Sequence, residues 1–160
     1  MLNISHEILN PRLLERLGDR ARALTRYAVE AGFQAGDVTR QTERGAAGQS
    51  IAGIARKNEY GDPATRTPAR PFMATTMART RDTMQHAMAE VARRVMFGNL
   101  DAWRGMNQIG SQYVREIQDT IRSNMPPPNS PRTIALKRSS RTLIDTGQMV
   151  QSVRHVLTRR

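Results

Sequence analysis

Cysteine is absent from this 160-residue chain. No disulfide and no thiolate metal site can therefore hold it together, which fits assembly in a reducing compartment. Aromatic residues make up only 4%, so the core must be built from Leu, Ile, Val, Ala and the nine Met residues, an adaptable rather than rigidly specified interior. Lysine is almost missing as well, since Lys57 and Lys137 are the only two among 25 basic residues. Acids number 14, which leaves a net charge of +11. No apolar run approaches the roughly 20 residues of a membrane span, and MLNISHEILNPRLLERL at the start lacks the basic-then-apolar layout of a secretory signal. The expectation is a soluble, unprocessed protein that makes no membrane contact. Residues 1–160 are read as one domain, a length that buries roughly 70% of the unfolded surface when compact.

Catalytic signatures are missing too. There is no GxxxxGK[ST] loop, no HExxH and no GxSxG, which removes the common motif-bearing routes to phosphate, zinc and acyl chemistry. His6, His86 and His155 are scattered and none has a second ligand at metal-binding spacing. Asp145-Thr146-Gly147 matches the tripeptide of aspartyl proteases, but that chemistry needs two carboxylates converging on one water. Here there is one copy, before a polar segment, so Asp145 or Thr146 is read as a cap on the short segment that follows. The chain is expected not to be an enzyme and to use no metal and no cofactor.

What is present is helical patterning broken by proline and glycine. Asn10-Pro11 is a helix start, and Leu13, Leu17, Ala21, Leu24, Ala28 and Ala31 recur at helical spacing up to Gly32. Residues 33–49 form an extended loop with a short strand expected at Asp37 to Gln41. Ser50 to Asn58 fits either a helix capped by Ser50 or a strand. Residues 61–71, with three prolines, form an exposed loop.

A long amphipathic helix follows Pro71, with Met73, Met77, Met84, Met88, Val91 and Val95 on one stripe and Thr80 filling the missing step. Such a stripe is usually core, with a promiscuous groove as the alternative. Asn99 can cap a second helix whose face carries Trp103, Met106, Gly110, Val114, Ile117 and Ile121. Pro-rich residues 125–131 then break the helix. Ser130-Pro131 starts a short helix to Leu136, and alternation over Val150 to Leu157 permits a last strand.

The C-terminal segment is basic. Arg132, Lys137, Arg138, Arg141, Arg154, Arg159 and Arg160 face a single acid, Asp145, so more than half the net charge lies in under a fifth of the chain. Arg forks suit phosphate and carboxylate partners. A stripe of this kind fits DNA phosphates without sequence readout, or an acidic protein neighbour. Stacking platforms for single strands are lacking, because Trp103 is the only nearby aromatic.

Three blocks in order, IARKNEYG, TPARPFM and PPNSPRTIALKRSSRTLIDTGQMVQSV, fall within residues 51 to 153. Together they resemble the neck or tail-completion proteins of tailed bacteriophages, also called virion-morphogenesis or minor tail proteins. The resemblance implies an α+β fold: long amphipathic helices beside a small, mostly antiparallel sheet, with extended Pro-rich loops or arms. It further implies a structural role in the virion, at the head–tail junction, after assembly in the bacterial host cytoplasm. There the chain would form a ring, with six-fold symmetry favoured and twelve-fold left open, between the portal or connector and the tail terminator or tail tube proteins. Genomic DNA would pass through the lumen. On this implication Glu59, Tyr60, Pro68, Arg70, Pro71, Phe72, Pro127 and Pro128 are expected at subunit interfaces, as preformed segments with a low ordering penalty. The alternative from charge alone is a small DNA-binding or packaging accessory protein.

Overall fold

The computed structural model describes residues 10–38, 48, 50–137 and 140–160. His6, Arg138 and most of the strand expected at Asp37 to Gln41 lie outside the described residues. The elements in chain order are α1 (Pro11–Thr25), β1 (Tyr27–Phe33), α2 (Ile51–Tyr60), α3 (Phe72–Met96), α4 (Ala102–Arg122), α5 (Pro131–Lys137), α6 (Gln148–Gln151) and β2 (Val153–Arg159). The fold is α+β, with long helices beside a two-stranded antiparallel sheet.

α4 is the central element. It packs along α3 on one side and against β1 and β2 on the other, with α1 lying across α3 and α4. Its glycines permit that closeness. A Cβ on Gly110 would lie 2.4 Å from His155 Cδ2, and one on Gly105 would lie 2.6 Å from Val91 Cγ1. One core joins α2, the start of α3, the end of α4, Met125, Leu143, α6 and Val153, centred on fully buried Phe72 and Ile117. Phe33 meets Phe72 edge-on, with ring centroids 6.0 Å apart. A second cluster, formed by Val91, Val95, Ala102 and Ile109, is covered by Ala23 and Leu24 of α1.

Several boundaries differ from the sequence reading. The first helix ends at Thr25 and Ala28 and Ala31 lie in β1, because Tyr27, Val29 and Phe33 suit a strand and Val153–Arg159 supplies the partner. The last strand starts at Val153, since Val150 belongs to α6. Ser50 to Asn58 resolves as helix, with Ser50 Oγ accepting from Gly53 N at 3.2 Å. Val38 forms only an isolated bridge to Ser50. Asp101, not Asn99, caps α4, its carboxylate accepting from Arg104 N at 3.1 Å.

The buried stripe of α3 is displaced in part. Phe72, Thr76, Thr80, Val91 and Val95 are buried, while Met77 is 67% and Met88 38% exposed. Threonine tolerates this burial because its hydroxyl bonds back along the helix. Thr76 Oγ1 donates to Phe72 O at 2.7 Å, and Thr80 Oγ1 to Thr76 O at 2.8 Å. Thr80, Val91 and Val95 of the expected stripe are thus buried and Met73 and Met84 half-buried against the cores, while Met77 and Met88 give way to Phe72 and Thr76. On α4, Trp103 is 51% exposed instead of joining the core.

Candidate functional site

The three sequence blocks converge on one corner, organised by two buried charged residues. Glu59, near the end of α2, turns its carboxylate to the start of α3, where Oε2 accepts from Met73 N at 2.8 Å and Oε1 from Ala74 N at 3.0 Å. The residue at the N-cap position of α3 is Pro71, which gives no side-chain cap. Glu59 therefore satisfies two amides that a helix start leaves open, and places negative charge at the positive end of the helix dipole. Gly61 makes the approach feasible. Its φ is 78°, and a Cβ there would stand 3.0 Å from Ala69 N and 3.1 Å from Thr67 O.

Arg70 forms the other half of the corner. Its backbone N donates to Asn58 O at 2.6 Å. Its guanidinium reaches across the fold to the proline segment: Nε donates to Pro127 O at 2.8 Å, and one terminal nitrogen to Pro128 O at 3.3 Å and Asn129 Oδ1 at 3.2 Å. Asn129 passes the connection on, its amide donating to Arg141 O at 2.9 Å. Asn124 accepts from Thr142 N at 3.0 Å. It sits at φ 58°, just past the α4 C-cap, where Asn is one of the few residues that accept a left-handed turn. Burial lowers the Arg70 pKa from its ordinary value, as expected for a cation whose partners here are all neutral oxygens.

Between these segments lies an open cleft of about 880 Å³. Ile51, Ile54, Leu143 and Met149 line it, together with Lys57, Arg66, Arg70, Lys137 and Asp145. Lys57 pairs with Asp62 at 3.1 Å. That contact, with a hydrogen bond to Thr65, lowers the Asp62 pKa below its ordinary value. Lys137 Nζ reaches Thr142 O at 3.4 Å, and burial lowers its pKa, opposed by Asp145 and reinforced by Arg70. Thr142 is buried, and its hydroxyl has no hydrogen-bond partner among the described residues.

The expected site residues separate into two groups. Tyr60, Pro68, Pro71, Pro127 and Pro128 are exposed. Glu59, Arg70 and Phe72 are buried in the chain's own packing, at 9%, 4% and 0% exposure, and offer no surface to a neighbour. Asp145 and Thr146 do not cap α6 in the expected way. Gly147, at φ 79°, holds the N-cap position without a side-chain bond, and Thr146 Oγ1 only reaches Gln148 N at 3.5 Å. The basic residues do not form one stripe. Lys137 lines the cleft, Arg132 lies on α5 and Arg141 beyond it, while Arg154 and Arg159 lie in β2 with Arg160 just after it. Arg154 is held by Asp37 through two 2.7 Å contacts.

Sequence reasoning passed over Arg66, Lys57, Asn124 and Asn129. The available signal was the Asp62–Thr67 turn, where Asp-Pro starts a self-bonded turn, with Ala64 N donating to Asp62 Oδ1 at 3.0 Å.

Among the described residues, no group of three His, Asp or Glu side chains could hold a metal ion, and no helix is long and apolar enough to cross a membrane. Comparison of the chain with protein families, curated proteins and solved structures finds no match. What the fold and the site define is an α+β chain with a buried Glu–Arg corner beside an open basic cleft.

Proposed function

We propose that the chain is a non-enzymatic structural protein of a tailed-phage neck, forming a closed ring that joins the portal or connector to the tail and lets DNA pass. The observation that carries this reading is the exposure of large apolar side chains near each end of α3, which we take as two apolar spots. Tyr60 and Met77 are 77% and 67% exposed near its start, and Phe97 and Trp103 are 68% and 51% exposed at its far corner. The 20 residues from Met77 to Phe97 place the spots about 30 Å apart along the helix. Two different apolar spots on one subunit suit heterologous contacts, the kind that generates rings when the rotation closes. Exposed Arg132, Arg159 and Arg160 supply positive charge for DNA in a lumen or for an acidic neighbour. Convergence of the three resemblance-bearing blocks on one corner supports treating them as a single structural unit.

Native mass spectrometry of the purified chain tests the proposal, with a closed oligomer of six expected and twelve as the other ring order. Met77→Asp and Phe97→Asp should each release folded monomers, because each places a carboxylate in an apolar contact. A wild-type chain that stays monomeric at high concentration, and whose monomer binds duplex DNA with steep salt dependence, would instead favour a DNA-binding accessory role.

A further inference from the structure

The cleft contains more cationic capacity than the chain itself uses. Of its four cations, Arg70 is occupied by three oxygens and Lys57 by Asp62. Arg66 has neither a side-chain hydrogen bond nor an ion pair among the described residues, and Lys137 has only the 3.4 Å contact to the Thr142 carbonyl. Among the described residues, Asp145 is the only acid lining the cleft.

Arg66 is also held in an unusual way. Its φ of 54° is left-handed, uncommon for a residue with a Cβ, and such geometry persists only where the surroundings over-determine it. Here they do. The turn is closed by Asp62 N to Thr67 O and Thr67 N to Asp62 O, both 2.9 Å, and is tied down by Lys57. Arg66 is thus presented from a rigid turn, and Lys137 from the end of α5. The apolar lining open to solvent is half-buried Ile54 with exposed Pro68, Pro127 and Pro128, while Ile51, Leu143 and Met149 form a floor that belongs to the main core.

We propose that this cleft docks an extended segment of a partner polypeptide that carries an Asp or Glu beside an apolar side chain. The carboxylate is taken by Arg66 and Lys137, and the apolar side chain lies over half-buried Ile54 and the exposed prolines Pro68, Pro127 and Pro128. Charge complementarity selects the carboxylate, since Arg66 has no ion pair among the described residues and Lys137 has only the more distant Asp145 to offset a charge that burial disfavours. The apolar lining selects a peptide over a nucleic-acid backbone, which would meet the cations and leave the hydrophobic surface uncovered. A volume of about 880 Å³ is ample for two or three side chains and falls within the usual range of binding clefts. The proposal does not rest on the ring reading.

The test is binding of the full chain to a randomised heptapeptide array, compared with the double variant R66G/K137Q. Glycine accepts the left-handed φ, so R66G removes the side chain without straining the turn; circular dichroism checks that the variant is folded. The expected result is enrichment of peptides pairing an acid with an apolar residue. For the best of these, affinity should fall about tenfold or more both in the double variant and on replacing the peptide's acid by its amide. Absence of acid enrichment, or enrichment that persists in the double variant, overturns the proposal. So does displacement of the peptides by duplex DNA whose own affinity falls in R66G/K137Q, which would make the cleft a phosphate site. The oligomeric state of the wild-type chain is read separately, so this proposal and the ring can fail independently.

Discussion

Replacing Glu59 by alanine tests how the corner is held. The carboxylate is 9% exposed and accepts two backbone amides at 2.8 and 3.0 Å, at a helix start with no other side-chain cap. A hydrogen bond to a charged group contributes about 1.5–3 kcal/mol, and an amide left buried and unpaired costs about 1–3 kcal/mol. Loss of the favourable charge at the helix start adds about 0.3–1 kcal/mol. These figures overlap rather than add, because the Met73 and Ala74 amides recover some water once the side chain is gone. E59A should therefore lose about 2–4 kcal/mol. For a chain of this size that is a fall in Tm of roughly 4–16 °C, at about 2–4 °C per kcal/mol. E59Q keeps one acceptor oxygen and turns an NH₂ toward the second amide, so it should lose about half as much. Urea unfolding followed by far-UV circular dichroism measures both, and amide exchange at Met73 and Ala74 localises the effect. If E59A changes stability by less than about 0.5 kcal/mol with an unchanged urea slope, Glu59 is not the cap that holds α3.

Gly110→Ala drives a methyl into the His155 ring, 2.4 Å from Cδ2, and should cost about 1–3 kcal/mol in urea unfolding as an overpacked contact. Arg70→Lys keeps the charge but loses the fork that reaches Pro127, Pro128 and Asn129; a loss of about 1–3 kcal/mol is expected, with chemical shifts moving at 127–129. Asp62 has a folded-state pKa below its ordinary value, so its contribution to stability is present above the ordinary carboxylate range and lost as pH falls through the depressed value. An NMR titration should find its midpoint low, and Lys57→Gln should raise it toward the ordinary value.

The helices and the proline breaks were legible because they are local. Asn10-Pro11 and the 125–131 segment act through their own backbone, whereas Ser50 to Asn58 fits helix or strand in sequence and only the Ser50 cap on α2 decides it. β1 was misread because nothing within Tyr27–Phe33 reveals that Val153–Arg159, more than a hundred residues later, will pair with it. The α3 stripe holds at Thr80, Val91 and Val95 but fails at Met77 and Met88, because hydropathy ranks Met above Thr whereas helical back-bonding lets Thr76 enter the core. At the site, the blocks containing Glu59 and Arg70 were identified, but those side chains were assigned to a neighbour's surface. Polarity in a sequence does not show whether a charge will find its partners inside the same chain. Arg66 and Lys57 act through a turn whose closure depends on Asp62, and composition alone marks that segment only as a loop.

Cryo-electron microscopy of the head–tail junction of particles assembled with this chain tests the ring proposal most directly. The account predicts a closed ring of this fold between portal or connector and tail, with the Tyr60–Met77 spot of one subunit against the Phe97–Trp103 corner of the next. Finding no copy of the chain in the junction, or a ring whose contacts leave both spots in solvent, would contradict it.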